Sequence, residues 1–179
     1  KLPEASIIVN PKQEGDEYPF KEFAASGLSF KTCQVLLGEK LSENLKKNFL
    51  ELVALATLAD MMAEREENKI FIEKGLQYLE STFRPGLKVF FTFPLIKNSP
   101  SLRDAAQKII STLNLTVPQD HLNKTYLLLT TPSFSEAKTL ASELLERAEA
   151  KRMKTREIYE EAEEKIFPKR EEPIVFEGD

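Results

Sequence analysis

The chain has 179 residues, with 25 lysines and arginines against 29 aspartates and glutamates and a hydrophobic content of 41%. That size and balance exclude a disordered tail and suit one ordinary domain, or one and a half small ones. The net charge of −4 gives no global attraction to nucleic acid, so such a partner would be held by a local basic patch or by metal ions. A single cysteine, Cys33, rules out an internal disulfide framework and fits a reducing cytosol. A single histidine, His121, excludes a metal site built on several histidines of this chain. No stretch approaches the ~18 apolar residues of a spanning helix, and no basic-plus-apolar leader opens the chain. The expectation is therefore a cytoplasmic protein without a membrane partner. Lys1 in place of a methionine, and Asp179 directly after an apolar run, read as the ends of a piece.

In chain order, "ASIIVNPKQ" packs Ile7, Ile8 and Val9 together and stops at Asn10-Pro11. A continuous β-branched run closed by a turn signal predicts a strand over residues 5–9, buried on both faces as in a parallel sheet. Residues 20–37 have mixed helical spacing, with Gly27 marking a close approach or a break. Residues 42–62 form the clearest helix, with Ser42 as N-cap and Leu45, Phe49, Leu52 and Val53 on one face. From Leu52 onward its apolar character wraps all round, which predicts a helix sunk in the core. "ENKIFIEKGLQYLES" is a second amphipathic helix, stopped by Arg84-Pro85-Gly86. "LKVFFTFPLI" is aromatic and β-prone, and Pro94 confines it to a sheet edge or a loop. Residues 101–113 form another helix. Ser133 or Ser135 opens a long helix that runs to Pro168, with an apolar stripe that thins near Lys151. Such a helix is packed at both ends and wet in the middle, as a connector between modules would be. "PIVFEGD" begins a fresh strand.

Few side chains stand out for chemistry. Asp60 is the one charge in "LVALATLADMM", and burying an ionised carboxylate is costly unless it is paired, hydrogen-bonded or bound to a metal. Two readings remain open: a cap or turn residue, with Thr57 one turn back and able to hydrogen-bond it, or a metal ligand. Arg147, Lys151, Arg152, Lys154 and Arg156 are either a phosphate contact or a solvated helix face paired with Glu143, Glu149 and Glu160. Phe90, Phe91 and Phe93 either stack bases or pack against neighbouring elements. His121 reads as a surface residue and Cys33 as a small core residue. There is no glycine-rich phosphate loop, nucleophile elbow or paired-cysteine metal motif.

Order and spacing add a resemblance. "LPEASIIVNPKQ", then "YPFKEFAASGLSFK", then "LVALATLAD", then "ENK" closely resembles the Asp-His-His (DHH) phosphoesterases, and among them the RecJ exonuclease family. That family looks like L-P-x-A-x-x-I-V-N-P-K-Q, Y-P-F-K-E-L-x-x-x-G-V-A-F-K, L-V-A-L-G-T-x-A-D and G-E-N-R. The resemblance implies an α/β fold: a partial DHH phosphoesterase domain with a parallel sheet over residues 1–131, and a long interdomain connector helix over 132–168. Residues 169–179 would start the second, DHH-associated domain. It also implies that Asp60 is a ligand of a pair of divalent metals, manganese or magnesium. Thr57, Asn10 and Asn68 are candidates for the edge of that site. Asn10, at the C-terminal end of the expected strand, should lie close to Asp60, because open α/β sheets bind ligands there. Most other ligands, including the DHH triplet, would lie before Lys1, so this stretch alone would be inactive.

The implied reaction is hydrolysis of single-stranded DNA from a 5′ end, with repair or replication proteins as further partners. Two alternatives stand beside it: a DHH phosphatase or nanoRNase acting on short oligonucleotides, and a catalytically dead relative serving as a replication scaffold. The chain departs from the family at Ala56 (for glycine), Ala63 (for proline) and Pro118, where the family's N-A-A-x-R-L-G has arginine.

Overall fold

A computed structural model describes residues 4–115 and 123–166, and among these every regular element is helical. Ser42 caps α2 (Glu43–Ala59) by accepting a hydrogen bond from the Leu45 amide at 3.2 Å, one of the orphan donors at a helix start. The all-round apolar stretch then does what its pattern predicts: Val53, Ala54, Leu55, Thr57 and Leu58 are buried. Against α2 lies α3 (Glu66–Glu80). Gly75 makes their close packing possible, because a Cβ there would sit 2.3 Å from the Leu50 carbonyl oxygen and 2.4 Å from the Ala54 Cβ.

Two apolar clusters surround this pair. α1 (Ala25–Leu37) and the loop before it bring Phe20, Phe23 and Phe30 onto Leu50, Val53 and Phe71, with Phe20 edge-on to Phe23 at 4.7 Å. The larger cluster lies on the other side, built from Leu55, Leu79, Leu87, Phe90, Ile109, Leu128 and Leu144. It gathers the short helices α4 (Pro85–Lys88) and α5 (Pro94–Lys97), then α6 (Leu102–Leu113), α7 (Lys124–Thr130) and the start of α8 (Phe134–Ile166). Glu51, only 2% exposed, is tied across by Arg84 Nε at 3.1 Å, and Arg84 also donates to the Leu129 carbonyl. Burial raises the Glu51 pKa, and hydrogen bonds from Thr82 and Arg84 only partly offset it.

Two sequence-based expectations are corrected. The α/β class with a parallel sheet is not observed: the described residues contain no strand, and residues 5–9 form no regular element. Ile7 is 82% exposed and Val9 58% exposed, so the β-branched run is not buried. A strand exists only through a partner's hydrogen bonds, and no described segment supplies one. The aromatic stretch 87–96 is not β-structure either. Pro85 and Pro94 each take the first position of a helical turn, and a 3-10 turn, Val89–Thr92, fills the gap. Proline's fixed φ suits that position, and local turn chemistry overrides the β-propensity of the phenylalanines. The strand expected at 173–179 lies outside the described residues.

The long helix starts after Ser133, whose Oγ accepts from the Glu136 amide at 3.2 Å. Ala137, Ala141 and Leu144 are buried, whereas residues 149–161 are exposed throughout.

Candidate functional site

Asp60 sits at the C-terminal end of α2 and is exposed, so the cost of burying a lone carboxylate does not arise. The helix ends there in a Schellman motif. The Met61 amide donates to the Leu58 carbonyl at 3.1 Å and the Met62 amide to the Thr57 carbonyl at 3.2 Å. Met61 takes the left-handed conformation, φ 49°, that glycine usually supplies at this position. Asp60 therefore caps nothing with its side chain. Its carboxylate has no hydrogen-bond donor and no cation against it among the described residues. It stands at the negative end of the helix macrodipole, where a further negative charge is unfavourable and a bound cation is favoured.

The other sequence candidates are placed differently. Thr57 is fully buried and its hydroxyl donates to the Val53 carbonyl at 2.7 Å, within its own helix. Asn10 closes a local turn, accepting from the Lys12 amide at 3.0 Å, and no described hydrogen bond joins it to Asp60. Asn68 is fully buried, and its side-chain amide donates to two backbone carbonyls, Glu22 at 2.6 Å and Ala63 at 3.0 Å. Its Oδ1 is buried with no partner, an omission that typically costs ~1–3 kcal/mol. The two carbonyls fix which way the amide points, because the reverse orientation would set oxygen against oxygen.

Around Asn68 a polar network joins three sequence segments. Glu67 accepts from the Tyr18 hydroxyl and, at 2.6 Å, from the Lys31 ammonium. Burial opposes the charge on Lys31, but its hydrogen bonds to Glu67 and Tyr18 outweigh this and raise its pKa. Arg65 forks onto Glu22 at 2.9 and 3.1 Å, and Arg103 of α6 forks onto Glu64. The turn after Asp60 is thus held on three sides, by Asn68, Glu22 and Arg103. Glu66 at its far end also has a positive φ of 49°, so two non-glycine residues bracket it in an unfavourable backbone region. Tyr18, Glu22, Lys31 and Glu67 all fall on the family pattern, yet nothing in their spacing along the chain assigns them to one another. Arg65 and Arg103 carry no sequence signal at all.

The remaining candidates resolve towards packing. Phe90 is fully buried, and Phe91 and Phe93 pack against the larger cluster. In the basic stretch Arg152 pairs with Glu149 at 2.8 Å and Arg156 with Glu160 at 2.7 Å, while Glu143 pairs with Lys124 instead. An open groove of about 820 Å³ separates this part of α8 from α6, with Lys108, Lys151 and Tyr159 in its walls. Cys33 is half-buried rather than core. His121 and Pro118 lie outside the described residues. Among the described residues no group of three or more histidine, cysteine, aspartate or glutamate side chains could hold a metal ion, and no helix is long and apolar enough to cross a membrane. A divalent cation is a hard acid that takes oxygen ligands. The unpaired Asp60 carboxylate fits as one such ligand, and the described residues supply no complete set.

No family model matches the chain. Its sequence is 43% identical over 88 residues to the single-stranded-DNA-specific exonuclease RecJ of Bacillus subtilis, covering 49% of this chain and 11% of that protein. It is 31% identical over 163 residues to RecJ of Salmonella typhimurium, covering 80% of this chain and 27% of that protein. The fold resembles the crystal structure of RecJ in complex with Mg2+ from Thermus thermophilus, with a TM-score of 0.67 and 22% identity over 88% of this chain and 24% of that one. The curated relatives in these likenesses are single-stranded-DNA-specific exonucleases. To them the chain is similar as a RecJ-like stretch. It spans 11% to 27% of the length of these curated relatives.

Proposed function

We propose that the chain is part of a divalent-metal-dependent exonuclease that hydrolyses single-stranded DNA from a 5′ end, with Asp60 as one metal ligand. The observation that carries this reading is the Asp60 carboxylate itself, exposed, unpaired and held by a braced turn at the negative end of α2 in a RecJ-like chain. Residues 1–131 would be the later part of the phosphoesterase domain, residues 132–168 a connector and residues 169–179 the start of a second domain. The other ligands would come from elsewhere in a longer protein, so this stretch alone would be inactive. Manganese or magnesium ions, when bound, supply charge stabilisation at the phosphate oxygens and activation of water. Asp60 would hold one of them, and the Asn68 network would keep the turn that carries Asp60 in place. A cytoplasmic protein working beside repair or replication partners is consistent with this reading.

In the full-length protein Asp60→Ala should lower manganese-dependent nucleotide release by at least about a hundredfold. Even outer partners of metal ligands are typically worth about 10–100-fold. Melting without metal should change by less than about 0.5 kcal/mol, because the side chain is exposed and unpaired. If the variant instead melts earlier by about 0.5–2 kcal/mol and still digests DNA at the parent rate, Asp60 is a structural cap and the metal reading is wrong.

A further inference from the structure

We propose that Asn68 is a positioning residue for Asp60, acting through the backbone of the turn between α2 and α3. The proposal rests on the metal reading of Asp60 for its functional meaning and on geometry for its physical content. Asn68 is fully buried yet keeps Oδ1 without a partner. A residue serving only to fill space would gain by losing that atom, so its worth lies in the two N–H donors. One grips the Ala63 carbonyl in the middle of the turn, at 3.0 Å, and the other grips the Glu22 carbonyl in a segment 46 positions away, at 2.6 Å. Asn68 thereby bolts the turn to the Phe20 and Phe23 layer. Arg65, exposed but paired with Glu22, repeats the same link from outside the core.

The bolt has something to resist. Met61 and Glu66 are held at positive φ at the two ends of the turn, and a backbone in that region persists only where its surroundings over-determine it. Without Asn68 the turn would relax into several conformations, and Asp60, the last residue before Met61, would lose its fixed position. A ligand that must be ordered on binding loses affinity without losing its chemistry. The signature of positioning is therefore weaker metal binding with turnover preserved once metal saturates.

The test uses the full-length protein and two variants, Asn68→Ala and Arg65→Ala. In metal-free protein, amide exchange at Met61 and Met62 should be at least ten times faster in Asn68→Ala, with Leu55 and Ile72 within twofold of the parent. The manganese dissociation constant, read from the electron paramagnetic resonance of free Mn2+, should rise at least fivefold, while kcat at saturating manganese stays within twofold. Arg65→Ala, a change to a side chain in solvent, should move exchange and affinity the same way by two- to threefold. It serves as the deciding variant should Asn68→Ala not fold. Unchanged exchange at Met61 and Met62, or an equal increase at Leu55, overturns positioning and leaves Asn68 a general structural residue. Faster exchange at the turn with unchanged manganese affinity sustains positioning and overturns instead the metal reading of Asp60.

Discussion

Met61 shows at the residue scale how the end of α2 is built. It occupies the left-handed position of a helix stop and is 90% exposed, so its side chain contributes almost no packing there. The left-handed region costs a non-glycine residue about 1–2 kcal/mol, and glycine would remove that cost while losing some of it again as unfolded-chain entropy. Met61→Gly should therefore stabilise the protein by about 0.5–1 kcal/mol, read as a higher urea midpoint at unchanged slope. A lower midpoint would show that the methionine side chain, not the backbone, ends the helix. Asp60 next to it stood out in the sequence as an odd charge in an apolar run, but the burial argument that singled it out does not hold, since the structure leaves it exposed. The network behind it was not legible. Apart from the local bond from Asn68 to Ala63, its hydrogen bonds join residues 36 to 49 positions apart, and no local periodicity records a contact of that kind.

The packing of α2 against α3 turns on Gly75 at the scale of elements. Replacing glycine by alanine inside a helix would by itself add about 1 kcal/mol of stability. Here the new methyl group would overlap the Leu50 carbonyl and the Ala54 Cβ, and neither can move without separating the two helices. Gly75→Ala should thus cost a net ~1–3 kcal/mol, measured by thermal or urea unfolding. A neutral outcome would mean that the pair can slide apart without loss. The longer helices α2, α3 and α6 were legible, because their apolar faces repeat at helical spacing and Ser42 caps α2. The short turns at Pro85, Pro94 and Lys124 were not. The sheet was misread from Ile7, Ile8 and Val9, and the stretch 87–96 from its phenylalanines. In both places side-chain type was followed where partner strands and proline positions decide.

Across the whole molecule α8 divides into two regimes. Leu144 is 1% exposed within the larger cluster, whereas Ile158 is 48% exposed. Leu144→Ala should cost about 2–5 kcal/mol and Ile158→Ala less than about 0.5 kcal/mol, compared by chemical unfolding of this chain. Similar losses at both sites would show that the exposed half is held by contacts beyond those described.

That division makes α8 a lever. From Leu144 to Ile166 an unbroken helix of this rise spans roughly 33 Å, so a tilt of about 5° at its packed end carries the far end by about 3 Å. Misplacements of about 1 Å can cost a reaction about a hundredfold. In the proposed enzyme, the small apolar contacts of Ala137, Ala141 and Leu144 would therefore govern the alignment of whatever the helix carries, with a mechanical gain of about three over the tolerance of the chemistry.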